Sequence, residues 1–188
     1  MALPGTLIHW LLAASAAAAI IFFAVGLTTY FDRPRHRPLW VGVIHSLGTA
    51  LTLTQLVLVL SLPPRGDVWA SAGIVMYTSA VTVFLSAIES ARRTRLQRAF
   101  IDEPLPDRLI TEGPYRWVRH PFYAGYILGA LAAPVAIASL ALAAIAAIMI
   151  SISVAAAIRE ERVWLKSVHG EAYRAYRRKT AMFFPFIG

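Results

Sequence analysis

Residues 121–158 read PFYAGYILGALAAPVAIASLALAAIAAIMISISVAAAI, 38 residues without one Asp, Glu, Lys or Arg. A single helix of that length would be about 57 Å long at ~1.5 Å per residue, nearly twice the roughly 30 Å hydrocarbon core of a bilayer. It must fold back or protrude. A single span would also leave the seven basic residues that follow (Arg159, Arg162, Lys166, Arg174, Arg177, Arg178 and Lys179) on the outer side. That violates the bias that keeps Lys and Arg inside. The stretch is therefore predicted to be a helical hairpin turning near Pro134 to Ser139, where proline ends the first arm.

Three further blocks, 1–31, 39–64 and 68–88, are equally free of Asp, Glu, Lys and Arg. Each fits one crossing of about 20 residues. With 58% hydrophobic residues in long uncharged blocks rather than periodic stripes, the 188-residue chain reads as a multi-pass membrane protein. The expected fold is all-α: about five transmembrane helices, the last two a hairpin, and a short C-terminal cytoplasmic helix. The first block is not expected to be a cleaved signal, because no Lys or Arg precedes Arg33 and the apolar run far exceeds the roughly 7–15 residues of a signal core.

The links between the blocks set the orientation. Asp32-Arg33-Pro34-Arg35-His36-Arg37-Pro38 and the segment opening Arg92-Arg93-Thr94-Arg95 are basic, whereas Pro63-Pro64-Arg65-Gly66-Asp67 is neutral overall. An outward N-terminus and an inward C-terminus then place every Lys and Arg except Arg65 on the cytoplasmic side. The +8 formal charge is thus an orientation signal of an inner (cytoplasmic) membrane protein, and no nucleic-acid partner is expected. The chain has no cysteine, which excludes disulfides, thiolate metal sites and cysteine nucleophiles. Its five histidines are scattered without a Glu-x-x-His or similar spacing, so no metal is expected.

The fourth helix is short, with about 21 Å between Pro121 and Pro134. Gly125, Gly129, Ala132 and Ala133 give it a small-residue face for close approach of another helix, and the Ala-rich arm Ile137 to Ile158 is the expected partner. In a hairpin, the start of the first arm and the end of the second meet at the cytoplasmic face. His120 and Tyr123 are therefore expected to converge with Glu160 and Glu161. Taken alone, Tyr115-Arg116-Trp117-Val118-Arg119-His120 also reads as an interfacial aromatic belt with cationic anchors. Arg159-Glu160-Glu161-Arg162 alone reads as local charge pairing on one helix. The proline-rich stretch 99–114 cannot be one helix and reads as a loop. After His169-Gly170, Glu171 to Lys179 reads as a basic amphipathic helix with Tyr173 and Tyr176 on one face. An apolar tail from Met182 to Ile187 is placed to tuck beneath it. His45 and Gln55 inside the second block, and Glu89 at the end of the third, are polar groups left outside the expected site.

Three motifs in order carry a resemblance: Arg119-His120-Pro121-Phe122-Tyr123-Ala124-Gly125, then Glu160-Glu161, then His169-Gly170-Glu171-Ala172-Tyr173-Arg174-Ala175-Tyr176. Together they resemble the isoprenylcysteine carboxyl methyltransferases and the related membrane phospholipid methyltransferases, over roughly residues 110–188. The expected organisation is a single membrane domain over 1–188, with three helices in 1–98 read from the uncharged blocks and, in 99–188, the cofactor-binding loop, hairpin and final helix that the resemblance implies. The resemblance also implies S-adenosyl-L-methionine as cofactor, bound by Tyr115, Arg119, His120, Tyr123, Gly125, Glu160, Glu161, Tyr173 and Tyr176. A sulfonium cofactor needs acceptors for its ammonium and ribose, aromatic walls and a donor for its carboxylate, all present in this set. The absence of Gly-x-Gly-x-x-Gly is consistent with a non-Rossmann cofactor site. Glu160 and Glu161 are the expected catalytic pair, one of them taking a proton if the acceptor is an amine; a carboxylate acceptor needs no base. The acceptor is expected to be lipophilic or lipidated and to enter from the bilayer. Two other classes remain open on the sequence: a nicotinamide-dependent membrane reductase of the sterol reductase type, and a non-enzymatic assembly factor using the basic surface to bind a partner or anionic lipid.

Overall fold

The computed structural model describes residues 6–31, 38–91 and 108–185. The basic links at 32–37 and 92–95, most of the loop at 99–114 and the end of the apolar tail lie outside the described residues. Among the described residues there are six α-helices: α1 (Leu7–Thr29), α2 (Leu39–Ser61), α3 (Asp67–Ala91), α4 (Pro121–Ala136), α5 (Leu140–Lys166) and α6 (Gly170–Arg177). A 3-10 turn at Gly113–Arg116 precedes α4. Helices α1, α2, α3 and α5 are each long and apolar enough to cross a membrane, and α4 is a shorter apolar helix. This is an all-α integral membrane protein. Its outer faces carry large exposed apolar side chains along the helices, including Ile21, Phe22, Val43, Leu53, Val57 and Val75. In hydrocarbon that surface matches its solvent, while each helix satisfies its own backbone.

The hairpin turn falls where proline and serine place it. Helix α4 ends at Ala136, Ile137 is extended, and the Ser139 hydroxyl accepts the Leu142 N–H at 3.4 Å to start α5. Pro134 has no N–H, so the Ala130 carbonyl one turn earlier loses its helical partner. The Gln55 amide of α2 covers the gap, its Nε2 lying 3.4 Å from the Ala130 carbonyl and 3.2 Å from that of Gly129. Arg65 closes the helix end, donating from its backbone to Ala136 O at 2.9 Å and from Nη2 to Pro134 O at 3.2 Å.

The small-residue face of α4 packs on α3, not on α5 as the sequence suggested. A Cβ at Gly125 would sit 3.1 Å from the Ala80 carbonyl, and one at Gly73 would meet Ala136 and Leu12 at 2.9 Å. Close approach requires small residues on both helices, and α3 supplies Gly73, Ala80 and Ala87 two turns apart, all buried. Gly129 faces Phe23 of α1. Helix α5 instead meets α4 on another side, where Ala156 and Ala157 pack with Tyr123. The tail beyond α6 returns to the start of α4: Arg119 N donates to Ala181 O at 2.9 Å and His120 N to Met182 O at 3.1 Å. Met182 and Phe183 cover the Tyr123 cluster from below.

Candidate active site

Two local features aim the polar side chains. His120 precedes Pro121, which has no N–H to offer and starts α4 at its first position. Arg119 and His120 therefore lie outside the helix, held by the returning tail. On the facing arm, α5 runs unbroken to Lys166 and carries Glu160 and Glu161 in its last turns. Neighbouring positions on a helix diverge by about 100°, so the two carboxylates look in different directions.

Glu161 points into a clasp. Its Oε1 lies 2.7 Å from Arg119 Nε, with both side chains 7% exposed, and its Oε2 lies 3.4 Å from Arg177 Nε of α6. Arg119 also donates from Nη1 to the carbonyls of Arg177 and Thr180. One buried ion pair thus joins the start of α4, the end of α5, α6 and the tail. Glu160 points into a cavity, accepts the Tyr123 hydroxyl at 2.5 Å and lies 3.5 Å from His120 Nδ1. His120 Nε2 is 3.4 Å from Glu161 Oε1, within ion-pair reach but without hydrogen-bond geometry. Burial opposes a charge on His120, yet the two carboxylates beside it outweigh burial and raise its pKa above the ordinary imidazole value. That direction favours the protonated ring, which lies between the two carboxylates.

Around this centre the phenols remain protonated. Burial pushes Tyr115, Tyr173 and Tyr176 well above the usual range, reinforced by Glu160 at Tyr115 and by Glu161 at Tyr173 and Tyr176, against Arg119 at the last two. Each is a neutral hydroxyl rather than a base. Tyr176 donates to the Tyr115 carbonyl at 2.7 Å, fixing α6 over the 3-10 turn. Tyr173 stacks on Trp164 at 5.8 Å, and its buried hydroxyl has no hydrogen-bond partner among the described residues, as is also true of Tyr126.

The cavity measures about 1170 Å³ and runs from these residues up between α1, α2, α4 and α5. Tyr115, Arg119, His120, Tyr123, Glu160, Tyr173 and Tyr176 line one end of it, with Phe23, Phe31 and Phe122 on its walls. Two residues of the expected set lie apart: Gly125 faces α3, and Glu161 faces the arginines rather than the cavity. Four others join the site without having been singled out for it. Arg177 completes the clasp, Tyr126 carries a buried hydroxyl on the cavity wall, and Gln55 and Tyr77 line its deep end. An intramembrane glutamine was itself a signal for the last pair. Among the described residues no group of three or more His, Cys, Asp or Glu side chains is arranged so that it could hold a metal ion.

Fold and site together define a polytopic membrane protein with a charged, aromatic-walled pocket at one end of its helices and an apolar extension between them. Residues 68–172, more than half the chain, match the phospholipid methyltransferase family model, and the chain belongs to that family. It is 38% identical over 87 residues to methanethiol S-methyltransferase of Crocosphaera subtropica, covering 46% of this chain and 32% of that protein. It is 39% identical over 77 residues to the cobalt-zinc-cadmium resistance protein CzcN of Cupriavidus metallidurans, covering 41% and 35%. It is 32% identical over 120 residues to the nickel-cobalt-cadmium resistance protein NccN of Alcaligenes xylosoxydans xylosoxydans, covering 63% and 53%. The matches span about a third to a half of these curated relatives. The family match favours neither the reductase nor the assembly-factor reading.

Proposed function

We propose that the chain is an S-adenosyl-L-methionine-dependent membrane methyltransferase acting on a lipophilic acceptor that reaches the site from the bilayer. One observation carries this reading: Glu160, with His120 and Tyr123, forms the polar end of a cavity that continues between apolar helices. At about 1170 Å³ the cavity exceeds the roughly 300–1,000 Å³ of a pocket for one drug-sized ligand, which leaves room for a cofactor and a second molecule. Family membership and a relative named methanethiol S-methyltransferase support methyl transfer. The alternation of basic and neutral links supports a cytoplasmic-membrane location with the N-terminus outside and the C-terminus inside.

The residues present fit the cofactor. Glu160 is an acceptor for its ammonium or ribose, Tyr123 and Tyr126 are aromatic walls for a sulfonium, and the buried hydroxyls of Tyr126 and Tyr173 are polar groups awaiting partners. When bound, the sulfonium supplies an electrophilic methyl group. The chain's own part is to hold the acceptor's nucleophilic atom in line and keep water out, and the contacts that fasten α6 and the tail beside the site support that role. A carboxylate or thiolate acceptor needs no further help. For a protonated acceptor Glu160 is the proton-accepting group, because it faces the cavity while Glu161 is engaged by Arg119.

Membranes containing the protein, supplied with methyl-labelled S-adenosyl-L-methionine, are expected to yield labelled extractable lipid or lipidated product. Release of the label by mild base would identify an ester and hence a carboxylate acceptor. Label confined to water-soluble products would refute the lipophilic acceptor, and consumption of reduced nicotinamide without methyl transfer would restore the reductase.

A further inference from the structure

The deep end of the cavity is polar in a manner that neither the proposed cofactor nor a plain hydrocarbon acceptor uses. Gln55 of α2 and Tyr77 of α3 both line it, at 5% and 4% exposure. The two backbone carbonyls of Gly129 and Ala130 fix the Gln55 amide with its nitrogen toward α4, and the same nitrogen lies 3.2 Å from the Tyr77 oxygen. Those contacts use the amide protons. By inventory, the Gln55 Oε1 acceptor and the Tyr77 hydroxyl proton remain, and neither has a further partner among the described residues. Ser153 of α5 and Thr52 of α2 line the same cavity; their hydroxyls donate to helix carbonyls at 2.9 and 2.8 Å, leaving acceptor lone pairs.

An acceptor that opens on the cavity beside a hydroxyl donor, both deep among apolar helices, suits a ligand group that pairs with both. Covering the carbonyl freed by Pro134 explains the amide nitrogen of Gln55. It does not require Tyr77 to be a phenol or the amide oxygen to face a cavity. Six to seven residues of α4 separate Tyr123, at the Glu160 end, from the Gly129 and Ala130 carbonyls, an axial distance of about 10 Å. On α5, Ser153 lies seven residues before Glu160, again about 10 Å.

We propose that Gln55 and Tyr77 form a second polar subsite, which selects acceptors carrying a hydroxyl about 10 Å from the atom that receives the methyl group. A hydroxyl gives its proton to Gln55 Oε1 and accepts that of Tyr77, matching both remaining groups. The acceptor is then bifunctional: a nucleophile at the cytoplasmic end, an apolar body between the helices and an alcohol at the far end. This rests on the methyltransferase reading above, and the test separates the two.

The probes are 1-octanethiol and 8-mercapto-1-octanol, offered to the detergent-purified full chain with labelled S-adenosyl-L-methionine. The wild type is expected to show a KM about tenfold lower for the hydroxylated thiol, corrected for partition into micelles, and Tyr77→Phe to bring the ratio to near one. Tyr77→Phe retains the Gln55 bonds to α4, so the fold is preserved; Gln55→Leu serves as the harsher second variant. A wild-type ratio near one, or a ratio that survives Tyr77→Phe, overturns the subsite. A second measurement needs no turnover: 1,8-octanediol should raise the Tm of the wild type relative to 1-octanol, and that difference should vanish in Tyr77→Phe. If neither thiol is methylated but the diol effect appears and depends on Tyr77, a thiol is not the nucleophile and the subsite stands; if in addition calorimetry detects no S-adenosyl-L-methionine binding, the methyltransferase reading fails and the subsite still stands. Equal protection by the two alcohols refutes the subsite whatever the turnover.

Discussion

The adjacent glutamates should fail in opposite ways. In Glu161→Gln the carboxylate facing Arg119 becomes a neutral amide, while Arg119 stays 93% buried with its two carbonyl contacts. Removing one partner of a buried ion pair costs about 3–5 kcal/mol, whereas the half-exposed Arg177 contact adds little. The retained amide acceptor argues for the lower end, about 3 kcal/mol, which for a chain of this size is a fall in Tm of roughly 6–12 °C. Glu160→Gln perturbs a side chain that is 38% exposed and faces the cavity, so its Tm should move by no more than about 3 °C. Its loss appears in binding: one charge-assisted contact is worth about 1.5–3 kcal/mol, or ten- to a hundredfold in Kd for S-adenosyl-L-methionine. The assay is thermal unfolding of the detergent-purified variants followed by isothermal calorimetry well below the lower Tm, with circular dichroism to verify helix content. A Glu161→Gln protein with wild-type Tm and no cofactor binding, beside a Glu160→Gln protein that binds normally, would refute the assignment of clasp and site.

The His120 pKa is raised by folding, so its contribution to stability is complete below the unfolded value of about 6.5 and is lost as pH rises through the folded value. The stability advantage of wild type over His120→Gln should therefore shrink on the alkaline side, and an advantage that grows with pH would contradict a charged His120. Gly125→Val should lower Tm by overpacking α4 against the Ala80 carbonyl, a cost of about 1–3 kcal/mol, with no loss of cofactor affinity in the fraction that remains folded; a selective loss of affinity would return Gly125 to the cofactor site. Tyr176→Phe removes the bond to the Tyr115 carbonyl, and protease cleavage within α6 should become several-fold faster at about 1 kcal/mol, while an unchanged rate would detach α6 from the 3-10 turn. A reporter fused at Gly66 should read as external, and cytoplasmic labelling there would reverse the orientation.

The long uncharged blocks determined most of the architecture by themselves, because hydrocarbon admits few ways to satisfy a backbone and a helix has a fixed rise. The hairpin turn at Pro134 to Ser139 was legible for the same reason: 38 apolar residues do not fit one crossing, and a proline marks the only sensible break. The convergence of His120 and Tyr123 with the glutamates followed from the hairpin. What the sequence could not decide was direction around a helix axis. Gly125 and Gly129 announce that some helix comes close, but the matching small residues of α3 are visible only once the bundle is assembled. Glu160 and Glu161 are equivalent as letters; the turn of about 100° between them sends one to the cavity and the other to Arg119. Gln55 reads as one of several polar residues in an apolar block, and only the tertiary structure sets it against the carbonyl that Pro134 leaves free, with Tyr77 beside it at the end of the cavity.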